Sequence, residues 1–339
     1  MVESPLKEVA QALMAPAKGI LAADESLPTI EKRFGGIGLP STEENRRSYR
    51  QMLFTTPGLE QFISGVILFD ETIRQRADTG VPFPDFLQER GIVPGIKVDK
   101  GAKPLAGFPG EKVTEGLDGL RERLAEYRRL GAGFTKWRAV VSIGEDIPTH
   151  FCLEANAHAL ARFAALSQEA RLVPVVEPEV LMDGDHGLDR CYQVTSRMLE
   201  RLFDRLFEHR VRLETTLLKT NMVLAGKQNS RQASIEEVAE ATVRCLREVV
   251  PPALPGIVFL SGGQSPEAAT ERLNAMNAIG SHPWQLGFSY ARALQGPALE
   301  AWRGRQENVE AAQTALRHRA RCNSAARSGN YSKEMEEAA

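Results

Sequence analysis

Short apolar, β-rich runs recur along the chain, and each is followed by a longer stretch whose apolar positions repeat with a helical period. The runs are GILAAD (19–24), ISGVILF (63–69), VPGIKVD (93–99), FTKWRAV (134–140), LVPVVEPE (172–179), TTLLKTN (215–221), GIVFLSGG (256–263) and QLGFSYA (285–291). They read as strands, and the intervening segments read as helices. Ser41 stands three residues before Glu44, and Ser234 three before Glu237, both capping-box spacings. Pro266 behind Ser265 marks a helix start, and Gly131 after GLDGLRERLAEYRRL marks a helix end. Long uninterrupted helices fit EANAHALARFAALSQEA and LDRCYQVTSRMLERLFDRLFEHR. Strict strand–helix alternation predicts a single-domain α/β protein, the (β/α)8 or TIM barrel. The rival, a doubly wound sheet, would carry a GxGxxG turn after its first strand, and none is present. The barrel with its N- and C-terminal helices is expected over 1–327. SGNYSKEMEEAA (328–339) is expected to be a short, polar, mobile tail.

A barrel gathers its functional groups at the C-terminal ends of the strands. Polar residues fall there repeatedly: Asp24 after the first run, Lys97 and Asp99 at the third, Lys136 and Arg138 on the fourth, and Glu177 and Glu179 on the fifth. Lys219 ends the sixth, Ser261 the seventh, and Arg292 follows the eighth. Alternate strand residues share a face, so Lys136 with Arg138, and Glu177 with Glu179, are expected to project together into the mouth.

Composition narrows the ligand. The 339 residues are 42% hydrophobic and 25% charged, with a net charge of −2. So balanced a chain has no long-range field for nucleic acid or an anionic membrane, and local basic residues must hold any anion. Cys152, Cys191, Cys245 and Cys322 are scattered without a CxxC pair, which argues against a zinc or disulfide framework and for a reducing, cytoplasmic setting. No apolar run approaches the roughly 20 residues of a membrane span, and MVESPLKEVAQALMAPAKGI lacks the build of a signal peptide. The six histidines show no ligand spacing, and His186 in DGDHGL reads as part of a helix-start loop. Trp137, between Lys136 and Arg138, is expected to point away from the axis and pack under a helix.

Phosphate fits the last two strands. SGG (Ser261, Gly262, Gly263) lets backbone N–H groups approach an anion, and Arg292 brings a fork matched to phosphate oxygens. Lys219 is an ammonium at the end of an apolar run. Desolvation and a neighbouring Lys136 lower a lysine pKa, and a free amine attacks a carbonyl to form a Schiff base, an electron sink for cleavage of the adjacent C–C bond. Glu177, Glu179 and Asp24 are the candidates for moving protons. Together these residues describe a Schiff-base lyase acting on a phosphorylated keto sugar.

The motifs GILAADES, TEENRR, GVILFDET, GIKVDKG, LAGFPGE, GLDGL, KWRAV, VEPEVLMDGDH, LLKTNMV, PGIVFLSGGQS and FSYARAL, in this order, closely resemble the class I fructose-bisphosphate aldolases over about residues 4–331. The resemblance implies a homotetrameric TIM barrel with no metal or other cofactor, cleaving fructose 1,6-bisphosphate reversibly to dihydroxyacetone phosphate and glyceraldehyde 3-phosphate. Carried over by motif, it implies that Lys219 forms the Schiff base, that Glu177, beside Glu179, transfers protons, and that Asp24 lies near the substrate hydroxyl. Lys136 assists the carbinolamine and cleavage steps, supported by Arg138, and Lys97 is a further active-site lysine. Ser261, Gly262 and Arg292 hold the ketose phosphate, and Ser26, Arg33 and Arg46 lie near the second phosphate. The chain departs from the family pattern at Thr220, where proline is common, at Ala291, where glycine is usual, at Pro28, where glycine is frequent, and in the tail, where Tyr331 comes too early to match the family's terminal tyrosine. Two alternatives stand beside this reading: sedoheptulose 1,7-bisphosphate as additional or main substrate, and a catalytically weak barrel serving as a binding scaffold.

Overall fold

The structure is a computed structural model that describes residues 5–337. Eight parallel strands close into a barrel: β1 (Gly19–Ala23), β2 (Ile63–Leu68), β3 (Val93–Lys97), β4 (Phe134–Val141), β5 (Val173–Val180), β6 (Leu217–Thr220), β7 (Gly256–Phe259) and β8 (Gln285–Tyr290). Each pairs with its sequence neighbours, and β8 returns to β1 through Ile20↔Ser289 and Leu21↔Tyr290. Every predicted strand is present, with ends one to a few residues from those read in the sequence.

The two faces of each strand have separate fates. The outward residues Leu21, Trp137, Val176 and Leu218 join the large core under the surrounding helices. Trp137 stacks on Phe163 of the helix His150–Glu169, at 5.7 Å between ring centroids, as its position between two inward cations predicts. The inward residues Ile20, Ala22, Ile67, Phe134, Val173, Val175, Leu217 and Val258 form a second, smaller core.

The N-terminal helix Pro5–Leu13 closes the bottom of that inner core with Leu6, Ala10, Leu13 and, just beyond it, Met14. Space there is tight. A Cβ on Gly95 would lie 2.2 Å from the ring of Phe134, and one on Gly256 would lie 2.3 Å from Met14. Glycine at these strand positions makes room for large plug side chains.

Helix starts follow the sequence signals with one shift. Ser234 and Glu237 form a reciprocal capping box, and the Ser265 side chain accepts from Ala268 N ahead of Pro266. In STEEN, however, the cap is Thr42, whose side chain accepts from Asn45 N at 3.1 Å, while Ser41 turns its carbonyl to Arg46. A short antiparallel hairpin, Ala102–Pro104 with Lys112–Thr114, was not anticipated, because three-residue polar strands leave no periodic signal.

The tail expected to be mobile spans 328–339; positions 338–339 lie outside the described residues, and 328–337 return to the C-terminal helix Val309–Arg327 through Glu336, which meets His318 and Arg319. Glu334–Glu337 is helical, and Tyr331 is buried with its hydroxyl donating to Glu336 Oε1 at 2.8 Å. Apolar and paired side chains in this segment give it contacts that its polar composition does not suggest. Among the described residues, no helix is long and apolar enough to cross a membrane.

Candidate active site

On four strands the inward face changes character along its length. β1 runs Ile20, Ala22 and then Asp24; β4 runs Phe134 and then Lys136 and Arg138. β5 runs Val173, Val175 and then Glu177 and Glu179, and β6 runs Leu217 and then Lys219. The two-residue period carries one face from apolar filler to charged groups without a break. These groups line a cleft of about 1580 Å³ at the C-terminal mouth.

Glu177 is the hub, with a side chain 3% exposed. Lys219 Nζ stands 3.1 Å from its Oε1, and Lys136 Nζ stands 2.6 Å from its Oε2. Lys136 also donates to Asp24 Oδ2 at 3.0 Å. Around this centre Arg138 Nε donates to Glu179 Oε2. Lys97 pairs with Asp99 Oδ1 at 2.6 Å, and the other oxygen of Asp99 accepts from Arg138 N at 3.2 Å. The cations Lys97, Lys136, Arg138 and Lys219 thus face the anions Asp24, Asp99, Glu177 and Glu179.

Charge compensation overrides desolvation here. Burial alone would raise the Asp24 carboxyl, but Lys136, Lys219 and Lys97 hold it far below the usual carboxylate range. Burial likewise opposes ionisation of Glu177, and Lys136, Lys219 and Arg138 reverse this, so its pKa is lowered. For Lys136, burial disfavours the charge, but Asp24, Glu177 and Asp99 push its pKa well up. The expected Lys136 cation is therefore near Lys219, but a carboxylate stands between the two amines.

At the loop after β7, Gly262 and Gly263 take positive φ of 58° and 91°. A Cβ on Gly263 would lie 2.9 Å from Arg292 Nη2 and 3.0 Å from Lys227 Nζ, so two cations converge on this turn. Ser261, Gly262 and Arg292 line the cleft, and Gly263 does not. Among the described residues, Arg292 makes no side-chain hydrogen bond or ion pair, which leaves its guanidinium open to an anion. Ala291 has φ −102°, so its methyl meets no left-handed backbone. Pro28 occupies the first turn of the helix Leu27–Gly35, where its missing N–H costs nothing. Thr220 is buried, with no hydrogen-bond partner for its hydroxyl.

The far end of the cleft differs from the sequence reading. Ser26 and Arg33 line it, but Arg33 is engaged by Glu25. Arg46 is not brought to the cleft: it forms a two-pronged pair with Glu71, at 2.7 and 2.6 Å. A carboxylate on the facing segment captures its fork before any substrate can. Lys32 and Lys100 line the cleft at this end instead.

Glu25 went unnoticed in the sequence. It is buried and takes Arg33, Arg50 Nη2 at 2.5 Å and Gln295 Nε2 at 3.0 Å, tying three helices to the turn that carries Asp24. Its one sequence signal is a second acid directly after Asp24, which does not say where the side chain turns.

A buried lysine and carboxylate relay at the mouth of a (β/α)8 barrel, beside a glycine turn flanked by Arg292 and Lys227, suits an enzyme that works on carbonyl compounds through an amine. The family model "Fructose-bisphosphate aldolase class-I" matches residues 5–339. The chain is 59% identical to a probable class 1 fructose-bisphosphate aldolase of Xanthomonas campestris over 327 residues, covering 96% of this chain and 98% of that protein. It is 53% identical to fructose-bisphosphate aldolase 1 of Toxoplasma gondii over 332 residues, covering 97% and 92%. Among solved structures it resembles the Plasmodium falciparum fructose-bisphosphate aldolase crystallised with TRAP and a small-molecule inhibitor, with TM-score 0.95, 51% identity, and 97% and 95% coverage. The chain belongs to the class I fructose-bisphosphate aldolase family.

Proposed function

We propose that this chain cleaves fructose 1,6-bisphosphate reversibly to dihydroxyacetone phosphate and glyceraldehyde 3-phosphate, through a Schiff base on Lys219. The observation that carries the residue roles is the placement of Glu177 between Lys219 and Lys136. Lys219 passes a proton to Glu177 Oε1, 3.1 Å away, and the free amine attacks the ketone carbon of the substrate; a nitrogen proton then moves to the new alkoxide to give the carbinolamine. With the Lys219 nitrogen neutral, Glu177 keeps only Lys136 of its two lysine partners as a cation, and it holds the transferred proton more firmly than in the resting site. Glu177 then delivers the proton that lets the hydroxyl leave as water, and the iminium forms.

Asp24, held ionised by Lys136, accepts the proton of the substrate hydroxyl whose carbon becomes the aldehyde. The C–C electron pair moves into the iminium and leaves an enamine on Lys219. Protonation of the enamine and hydrolysis release the second product. Lys136 remains charged throughout and steadies both carboxylates. Arg138 orients Glu179, and Lys97 fixes Asp99 beneath Arg138. Arg292 and the Ser261–Gly262 turn hold the ketose phosphate, with Gly263 giving the turn its shape. Lys32, Lys100, Ser26 and Arg33 receive the second phosphate.

Borohydride trapping with dihydroxyacetone phosphate, followed by peptide mapping, is the test. An adduct on Lys219, with cleavage that persists in EDTA, supports the reading. A folded protein that gives no adduct sinks it and favours a binding scaffold. Comparing kcat/KM for fructose 1,6-bisphosphate and sedoheptulose 1,7-bisphosphate ranks the two substrates. The same reading places the chain in the cytoplasm as a homotetramer, and light scattering checks the tetramer.

A further inference from the structure

His318 and Cys322 lie one turn apart on the helix Val309–Arg327, and the returning chain end brings Glu336 against both. His318 Nε2 is 3.1 Å from Glu336 Oε2 and 3.7 Å from Cys322 Sγ. One ring nitrogen faces a carboxylate oxygen and a thiol at once, and the three donor atoms lie within 4.8 Å of one another. Zinc ligated tetrahedrally, with Zn–N and Zn–O near 2.0 Å and Zn–S near 2.3 Å, sets its donors about 3.3 Å (N to O) and about 3.5 Å (N to S) apart. The two separations from the ring nitrogen are close to those edges before any ion enters, and the thiol and carboxylate, within 4.8 Å of each other, would close on the ion.

We propose that His318, Cys322 and Glu336 form a zinc site, with water as the fourth ligand, that staples the chain end to its last helix. The donor set of imidazole, thiol and carboxylate suits zinc, whereas magnesium and calcium take oxygen ligands. The surroundings supply the outer partners that ligating carboxylates ordinarily have. Tyr331 donates to Glu336 Oε1 at 2.8 Å, and Arg319 Nη1 donates to Oε2. Arg319 is itself held by Pro266 O at 3.1 Å and Thr270 Oγ1 at 2.6 Å, so it stays in place as an outer partner when Oε2 turns its remaining lone pair to the ion.

Cys322 is fully buried, while the His318 and Glu336 side chains are 11% and 23% exposed, so an ion reaches the thiol past the other two ligands. On binding, the Cys322 thiol releases its proton to solvent and the sulfur–zinc bond forms. None of these residues lines the substrate cleft, so the site is separate from the carbonyl chemistry.

The full-length protein, stripped with a chelator, is titrated with Zn²⁺ in competition with a chromophoric chelator, and separately with Co²⁺. One zinc per chain is expected, with a thiolate-to-cobalt charge-transfer band. Glu336→Gln and His318→Gln, which each remove a direct ligand, should weaken zinc binding by at least the roughly 10- to 100-fold that loss of an outer partner costs. Cys322→Ala should abolish the band. Zinc should also raise the melting temperature of the wild type and leave that of Glu336→Gln unmoved. Absence of zinc binding in the wild type, a cobalt band that survives Cys322→Ala, or equal affinity in the folded Glu336→Gln and His318→Gln proteins would overturn the proposal.

Discussion

The barrel interior has two halves built on the same strands. The lower half is filled with Ile20, Ile67, Phe134, Val173, Val175, Leu217 and Val258 and stoppered by Leu13 and Met14. The upper half holds the interlocked lysines and carboxylates. The lower half is held by apolar area removed from water, about 25 cal/mol per Å². The upper half is held by mutual compensation, in which each charge is tolerable only because its neighbour is present. One half makes the barrel; the other uses the barrel as a frame for groups that would not stay together in water.

Substitutions should separate the halves cleanly. Lys219→Ala removes the proposed nucleophile and should cut cleavage by roughly 10⁴- to 10⁶-fold, with a loss of stability smaller than that of Glu177→Gln because Glu177 keeps Lys136 as its partner; steady-state assay beside calorimetry reads both. Glu177→Gln should lower kcat by roughly 10²- to 10⁴-fold and also destabilise by about 3–5 kcal/mol, because two lysines lose a shared partner. Val175→Ala, two residues earlier on the same face, should destabilise by about 1.5–3 kcal/mol while kcat stays near wild type.

Arg292→Ala should raise KM by roughly 10- to 100-fold, the loss of a charge-assisted phosphate contact. Arg46→Ala should change KM by less than about threefold, since Glu71 already occupies that side chain. A collapse of activity in Arg46→Ala would return that residue to the site. Gly95→Ala, driven against Phe134, should cost about 1–3 kcal/mol without touching KM.

Acidity gives a subtler separation. Asp24 and Glu177 have folded pKa values below their ordinary 3.8 and 4.5. Their contribution to stability is therefore complete above those ordinary values and drains away as pH falls through the depressed ones. Lys136, raised above 10.5, contributes fully below that value and loses its contribution only at stronger alkali. Denaturant midpoints should stay level from neutrality down to about pH 5 as far as these groups are concerned, then decline. In Glu177→Gln that decline should be shallower, which urea titration at several pH values would show.

Much of this was readable from the chain. The inward face of β5 could be followed through Val173, Val175, Glu177 and Glu179 because a strand's period of two fixes direction without tertiary knowledge. Lys219 stood out because it interrupts an apolar run. What failed depended on partners distant in sequence. Arg46 looked like a phosphate ligand until Glu71, twenty-five residues on, proved to hold it. Glu25 was hidden by its neighbour Asp24, since consecutive acids give no hint that one turns to the mouth and the other to three helices. The His318–Cys322 pair was passed over because neither a second histidine nor a second cysteine accompanied it, and Glu336 reaches it only through the fold of the chain end.

The helix Pro5–Leu13 beneath the inner core has a kinetic meaning as well. With Leu6, Leu13 and Met14 sealing the floor, traffic through the reaction chamber is one-ended. Substrate arrives and both products depart by the mouth. Under the proposed mechanism, the three-carbon fragment bonded to Lys219 stays behind while the free aldehyde leaves. That mechanism makes release sequential, and in the reverse direction it requires the ketone phosphate to be seated before the aldehyde arrives.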